Sequence, residues 1–398
     1  MLSFIDLGLS PIANNLVLLK HLGFKEPSLP LHVQTCLTCG LVQLPEVSSR
    51  ALLFPTDYSY YSSYSTSWLA HCEDYVKKMV QRLGLSEKDF VIEVASNDGY
   101  LLQYFRGSDV RVLGIEPAAE VAKVAIQERD IPTLVEFFGK SSAEKLLLTY
   151  QKPTLMIANN VLAHVPDIHD FISGFSTILA DEGVITFEFP HLLNLILLNQ
   201  FDTIYHEHYS YLSLTALKPI FESHGLRIFD VEELPTHGGS LRVYVCKKEA
   251  SWLEDASVQK CLDSENPLDP RLEHVAKSVQ ARTQKVKLDL LDELARAKNA
   301  GLRVAAYGAA AKGNTLLNFV GINADVIEYV IDLNPHKQDK YLPGSHIPVL
   351  GEEHLKNNPP DILLILPWNL AEEIGNQLGY LREQGVKFLR AIPSLQYF

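Results

Sequence analysis

A doubly wound α/β sheet followed by a second, smaller α/β unit is the fold class this sequence predicts. Three observations lead there. Over residues 90–248, short continuous apolar runs alternate with amphipathic stretches, and such runs mark parallel strands buried on both faces. The same alternation restarts after residue 301. Between the two, Asp269 to Ala300 holds no glycine and, after Pro270, no proline, and its apolar residues recur at helical spacing.

The elements follow in order. The first 65 or so residues hold the chain's CxxC, Cys36-Leu-Thr-Cys39, and lead into the hydroxyl- and aromatic-rich stretch DYSYYSSYSTSW. Leu69, Tyr75, Met79 and Leu83 predict a helix from Trp68 to Leu83. Strands are expected at 90–95, 110–116, 153–160 and 183–190, with helices near 99–106, 118–129, 141–149 and 168–180; this βαβα order calls for a parallel sheet. LRIFDVEEL and SLRVYVCKK are separated by only a few residues and should pair antiparallel. After the long connecting helix, strands are expected at 302–308, 326–332, 361–367 and 387–393, with helices from about 311 and over 370–384.

The chain has 398 residues, 47% hydrophobic and 21% charged, which suits two or three globular domains. Its net charge of −13 argues against a nucleic-acid partner, which would need a basic surface. Anionic small ligands stay open, since backbone amides and a few Lys or Arg can hold a phosphate. The start lacks the basic and apolar character of a signal peptide, and no apolar stretch is long enough to span a membrane. Five cysteines in so long a chain suit a reducing compartment, so a cytoplasmic protein is expected.

Three constellations carry chemistry. The first is Glu93-Val94-Ala95-Ser96-Asn97-Asp98-Gly99, placed where an expected strand turns into a helix. Small residues there let a ligand approach the backbone at the carboxyl edge of the sheet. Its single glycine fits a dinucleotide G-x-G-x-x-G poorly, and it is more similar to the E-x-(G/A)-x-x-x-G loop of class I S-adenosylmethionine-dependent methyltransferases. Glu116, before Pro117, ends the next strand and can hold ribose hydroxyls, and Asn159-Asn160 end the strand after. A plain structural turn is the alternative. The second is Tyr205-His206-Glu207-His208-Tyr209, behind the strand at 183–190, where a histidine can act as a base with a carboxylate to orient it. A polar loop is the alternative; a helical zinc site is not, because H-E-H lacks the i, i+4 spacing. His164 follows another strand end, and Tyr60 lies in a segment that could cover the site. His237-Gly238-Gly239-Ser240 reads mainly as a tight turn. The third is Tyr307-Gly308-Ala309-Ala310-Ala311-Lys312-Gly313-Asn314, with Asp332 at the end of the next strand. It reads as a diphosphate or sugar-nucleotide site, with close packing as the alternative.

Together these blocks resemble the sugar C-methyltransferases of deoxysugar biosynthesis. The resemblance rests on DLGLSPIANN, CLTCGLVQL, DYSYYSS, VIEVASNDGYLL with GIEPA, NNVLAHVPD, FDTIYHEHYSYLS, THGGSLR, YGAAAKGNTLLN, IDLNPHKQDKYLPGSHIPV and LLILPWN, spread over nearly the whole chain. It implies a zinc-binding-like segment at 1–66, an S-adenosylmethionine-binding, Rossmann-like class I methyltransferase domain at 67–265, and a helical connector with a C-terminal α/β domain at 266–398 that helps hold a sugar nucleotide. It implies C3 methylation of a nucleotide-linked 4-keto-6-deoxyhexose, with His208 as base assisted by Tyr205, Glu207, His164 and Tyr60. Glu93, Ala95, Ser96, Asn97, Gly99, Glu116, Pro117, Asn159 and Asn160 would hold the cofactor; Tyr307, Gly308, Lys312, Gly313, Asn314 and Asp332 would hold the substrate. The family pattern has a further CxxC before the DLG block, so Cys36 and Cys39 are expected as a half zinc site. Methylation of a sugar oxygen or nitrogen, a nicotinamide-dependent sugar-nucleotide oxidoreductase and a non-catalytic binder are the other readings.

Overall fold

The computed structural model describes residues 1–47 and 61–398. They form two units that are interleaved along the chain. One comprises Met1–Val47, Leu192–His208 and Leu268–Phe398; the other comprises the described residues from 61 to His191 together with Tyr209–Pro267.

The second unit is built on a seven-stranded sheet. Its order is Leu226–Leu234, Ser240–Lys247, Val184–Pro190, Leu155–Asn159, Phe90–Val94, Arg111–Ile115, Thr133–Leu134. The last five are parallel, and the first two form an antiparallel pair added at one edge. The parallel strands lie where continuous apolar runs predicted them; Phe90–Val94 and Leu155–Asn159 are buried at every position. Chain order reverses between Phe90–Val94 and Leu155–Asn159, the switch point at which open α/β sheets bind ligands. This is the doubly wound, Rossmann-like sheet that the sequence predicts. Helix Thr66–Leu83 begins where Ser65 Oγ accepts from Trp68 N at 3.3 Å and ends at Gly84, whose φ of 60° closes it. It buries Cys72, Tyr75, Val76 and Met79, each worth roughly 1.5–3 kcal/mol of apolar transfer for a large side chain. The stretch after Gly99 is a 3-10 helix, Leu102–Ser108, where an α-helix near 99–106 was expected. Left-handed residues bracket the segment, Gly99 at φ 77° and Asp109 at φ 53°.

The first unit carries a small antiparallel sheet, in which Leu2–Pro11 pairs with Ser28–Thr35 and that strand with Val42–Gln43. It also carries an eight-stranded mixed sheet in the order Gln396–Tyr397, Lys387–Arg390, Ile362–Ile365, Val304–Tyr307, Val330–Ile331, Pro348–Leu350, Lys340–Tyr341, Val17–Leu18. The long helix spans Glu273–Asn299 and buries Val275, Val279, Val286, Leu290 and Leu294 along one stripe. The expected strand at 326–332 shortens to Val330–Ile331, and the helix expected over 370–384 divides into Ala371–Gln377 and Gly379–Glu383 around Leu378. No helix among the described residues is long and apolar enough to cross a membrane.

Candidate active site

In the sheet unit, strand Phe90–Val94 runs into a turn of alternating left-handed residues: Ala95 at φ 57°, Asn97 at φ 49°, Gly99 at φ 77°. Such a conformation costs an L-residue roughly 1–2 kcal/mol, and non-glycine residues keep it where the surroundings dictate it, often at ligand sites. Glu116 supplies part of that dictation. Its carboxylate accepts from Asn97 N at 3.0 Å and from Ala118 N at 2.8 Å, stitching the turn to the end of the next strand. Burial raises the Glu116 carboxyl to about 7 against the pull of those amides. Gly114 on that strand admits no side chain, since a Cβ would lie 2.4 Å from Ser96 Oγ. Glu93 is fully buried, which holds its pKa well above the usual range despite the Tyr100 hydroxyl beside it.

The same edge gathers polar atoms that no described residue satisfies. Ser96 Oγ, both side-chain atoms of Asn159 and Asn160 Oδ1 are buried without a hydrogen-bond partner. Buried polar groups are normally paired, so this set suits a polar ligand such as S-adenosylmethionine, whose ribose and amino-acid groups supply matching donors and acceptors. Asn160, at φ 52°, has its Nδ2 3.2 Å from Nε2 of His237, itself at φ 55° and packed on Trp68 with centroids 5.4 Å apart. His164 is half-buried on the turn Leu162–His164 that follows the Asn159 strand. Ser62 N donates to Asn97 Oδ1 at 2.9 Å, and Ser63 bridges Asp98 and Arg129. Tyr60 lies outside the described residues.

Two buried carboxylates in this unit escaped sequence reasoning. Glu188, 0% exposed, accepts from Arg242 at 2.6 Å, Thr236 Oγ1 at 3.0 Å and His71 Nε2 at 2.9 Å. An acid inside the apolar run VITFEFP was the available signal, because a charge in a buried strand needs partners. Glu265 meets His191 Nε2 at 2.7 Å and Cys261, the one group of three or more metal-type ligands among the described residues. Its oxygens also accept from Leu214 N, Thr215 N and Thr215 Oγ1, capping helix Leu214–Ser223. A carboxylate so fully occupied is a cap rather than a metal ligand.

In the other unit, the segment Leu192–His208 carries the predicted base. The 3-10 turn Phe201–Thr203 is pinned by Thr315 Oγ1 donating to Ile204 O at 3.0 Å and by Phe201 against Phe319, centroids 5.4 Å apart. Asp202, 0% exposed, accepts from Trp368 Nε1 at 2.7 Å. Burial raises its carboxyl to about 6 against the field of Lys312. His208 places Nδ1 2.7 Å from the Thr203 carbonyl. A carbonyl only accepts, so Nδ1 carries the hydrogen and Nε2 is the basic nitrogen. Tyr205 lies against the ring, centroids 4.0 Å apart. His206 turns away, its Nε2 donating to Pro30 O at 3.2 Å. Glu207 is 2% exposed, and burial lifts its carboxyl to about 7. Both its oxygens accept from Asn14 Nδ2, at 2.8 and 2.9 Å. Asn14 was not singled out in the sequence, and 193 positions of separation leave no local signal.

Glu207 also sets a pH dependence. Its folded value of about 7 lies above the ordinary 4.5, so between those limits the folded chain binds more protons than the unfolded one and stability falls as pH rises. Glu207→Gln is therefore expected to melt above the wild type at pH 8 and level with it at pH 4. A wild type that melts higher at pH 8 would contradict this.

The 307–314 loop is largely committed to packing. A Cβ on Gly308 would lie 2.5 Å from Pro367, and one on Gly313 2.8 Å from Leu366. Asp332 accepts Ala309 N at 2.8 Å, using one of the amides an anion nest would need. Lys312 Nζ donates to Asn369 Oδ1 at 2.8 Å and lies 4.8 Å from the Trp368 ring centre, with burial lowering its pKa. Asn314 is buried, its Oδ1 accepting from Asn318, and Tyr307 is buried with its hydroxyl pushed up to about 12. Cys36 and Cys39 share the turn between Ser28–Thr35 and Val42–Gln43, closed by Gly40 N on Cys36 O at 2.9 Å. Hydrogen bonding, chiefly from the Cys39 amide, lowers the Cys36 thiol to about 7. Among the described residues no third His, Cys or acid joins them, so they fit half of a tetrahedral zinc site.

Family models match three successive stretches: "Putative zinc binding domain" over residues 1–54, "Methyltransferase domain" over 68–231 and "C-methyltransferase C-terminal domain" over 235–393. C-methyltransferase NovU of Streptomyces niveus is 35% identical over 393 residues, covering 99% of this chain and 93% of that protein. Among solved structures, magnesium protoporphyrin IX methyltransferase (ChlM) of Synechocystis PCC 6803 with bound SAH is 15% identical, covering 45% of this chain and 82% of that one at a TM-score of 0.36. A SAM-dependent methyltransferase of Anabaena variabilis is 13% identical, covering 45% and 86% at a TM-score of 0.37.

Proposed function

Since this chain belongs to the sugar C-methyltransferases and is an S-adenosylmethionine-dependent enzyme, we propose that it methylates C3 of a nucleotide-linked 4-keto-6-deoxyhexose, as a cytoplasmic enzyme of deoxysugar biosynthesis. The observation that carries this reading is the His208 tautomer: with Nδ1–H held by the Thr203 carbonyl at 2.7 Å, Nε2 is the ring's basic nitrogen.

A C–H next to a ketone is the acidic bond of such a sugar, because its conjugate base is an enolate with charge on the former ketone oxygen. A neutral imidazole is matched to removing that proton near pH 7. Tyr205, lying against the ring, is assigned the developing oxyanion. Glu207, with its carboxyl at about 7, is assigned to steady the charged imidazole, and His164 and Tyr60 to assist. Bound S-adenosylmethionine would supply an electrophilic methyl group to C3 of the enolate, its methyl–sulfur bond breaking to leave S-adenosylhomocysteine. Glu93, Ala95, Ser96, Asn97, Gly99, Glu116, Pro117, Asn159 and Asn160 are assigned to holding the cofactor, with Glu116 on the ribose. Tyr307, Gly308, Lys312, Gly313, Asn314 and Asp332 are assigned to the sugar-nucleotide side. The nicotinamide-dependent and non-catalytic readings give way to the family.

The deciding experiment incubates the protein with methyl-labelled S-adenosylmethionine and a panel of nucleotide-linked 4-keto-6-deoxyhexoses. Label on C3 is expected; label on oxygen or nitrogen instead would overturn the carbon assignment. Independently, Glu116→Ala is expected to weaken S-adenosylhomocysteine binding by about 10–100-fold, since hydrogen bonds to a charged group are worth about 1.5–3 kcal/mol. Titration calorimetry measures it, and unchanged affinity removes Glu116 from the cofactor site.

A further inference from the structure

We infer that Asn14 is a positioning residue for the reaction: the N-terminal segment supplies the hydrogen-bond donor that fixes the Glu207 carboxylate and keeps it available to its neighbour His208. The inference rests on the reading of 205–208 as the acid–base segment.

Two other buried acids of this protein, Glu188 and Glu265, are each held by several donors. Glu188 takes donors from His71, Thr236 and Arg242, and Glu265 from His191, Leu214 and Thr215. Both pKa values lie below the usual carboxylate value, the mark of a structural anion whose partners outweigh its burial. Glu207 is as deeply buried, at 2% exposed, yet among the described residues its carboxylate has Asn14 as its sole hydrogen-bond partner. One neutral donor does not outweigh burial, so the carboxyl is left near neutrality, at about 7. Unlike Glu188 and Glu265, Glu207 is thus left able to exchange a proton near pH 7, where a working acid or base operates.

The donor is itself well placed. Asn14 sits on the turn after strand Leu2–Pro11, where Asn15 N donates to Ile12 O at 3.1 Å and Leu16 N to Asn14 O at 3.0 Å. Buried Ile12, Ala13 and Val17 anchor that turn, while Asn14 itself is exposed apart from this contact. The titratable chain neighbours of Glu207 have partners of their own. His206 is turned onto Pro30 O and His208 onto Thr203 O, with Tyr205 packed on His208. Burial and Asn14 are what set the Glu207 carboxyl.

The test reads Glu207 directly, by carbon-13 NMR of its side-chain carboxyl in the full-length protein, with Glu207→Gln to assign the signal. Asn14→Ala is expected to raise its titration midpoint by about one pH unit, the scale of one lost donor to the charged form. Asn14→Asp, the same shape with a like charge, is expected to raise it further. The limb of the kcat/KM pH profile that follows Glu207 should move with the midpoint, with kcat falling about tenfold and KM little changed. Midpoints within about 0.3 unit of the wild type in both variants would overturn the inference, as would a moved midpoint with an unmoved pH profile. Exchange of the C3 proton by wild-type protein in deuterium oxide separates the two levels. A wild type that does not exchange it overturns the acid–base reading, whereas an unmoved midpoint in an exchanging protein overturns the role of Asn14 alone. Because Asn14 is exposed, either variant serves if the other is insoluble.

Discussion

His208→Gln is expected to slow exchange of the substrate's C3 proton by about 10²–10⁴-fold, the usual worth of one positioned general base. Glutamine is the informative replacement. Its amide NH₂ can still donate to the Thr203 carbonyl that holds Nδ1 at 2.7 Å, so the segment keeps its anchor while losing its basic nitrogen. S-adenosylhomocysteine affinity should stay at the wild-type value, since the residues assigned to the cofactor are untouched. Exchange monitored by proton NMR in deuterium oxide checks the first expectation and calorimetry the second. A variant that exchanges at the wild-type rate would return the base assignment to another residue, with Glu207 next in line. Loss of exchange together with loss of cofactor binding would mean that the replacement had damaged the fold.

The second large effect is on stability. Arg242→Met is expected to cost about 3–5 kcal/mol, the penalty for leaving one member of a buried ion pair without the other. Glu188 is 0% exposed and Arg242 3%, and the Arg242 guanidinium also lies 4.4 Å from the Tyr75 ring centre. Methionine keeps the apolar volume, so the deficit isolates the charge. In a thermal melt the loss should amount to roughly 10 °C. Glu188 has its pKa lowered in the native protein, so native pairing favours its ionised form and the stability it lends is lost as pH falls through its folded value. The wild type therefore loses this advantage in acid and the gap between the proteins should narrow there. Glu188→Gln combined with Arg242→Met should recover part of the deficit. A single variant that melts within a degree or two of the wild type would show that His71 and Thr236 suffice to hold the carboxylate.

These effects mark where sequence reasoning succeeds and where it stops. The parallel strands were legible because burial on both faces writes itself locally, as in Val91-Ile92 or Met156-Ile157. The helix Thr66–Leu83 and the long helix Glu273–Asn299 were legible from their apolar stripes. The turn after Phe90–Val94 was legible from its small residues at the end of an apolar strand. Pairings between distant residues were not. Asn14 meets Glu207 across 193 positions, His71 meets Glu188 across 117 and Trp368 meets Asp202 across 166; nothing in the local sequence encodes such a partner. Neither does the His208 tautomer, because its partner is a backbone carbonyl that any residue at 203 would offer. The 308–314 loop shows the opposite difficulty. Its glycines suggest an anion nest, but Pro367 and Leu366 press on the two of them closely enough to require glycine for packing.

The interleaving of the two units has a consequence for synthesis. The unit that contains His208 draws on Met1–Val47, Leu192–His208 and everything from Leu268 to Phe398. A nascent chain that has reached Pro267 therefore has all the residues assigned to the methyl donor, while the base-bearing segment still lacks Thr315 and Trp368, which hold it in place. At about 5–20 residues per second, translation needs roughly ten seconds more to supply them. With His208 as the proposed base, deprotonating capacity would be the last property the growing enzyme acquires, and a truncated product is expected to bind donor without activating an acceptor.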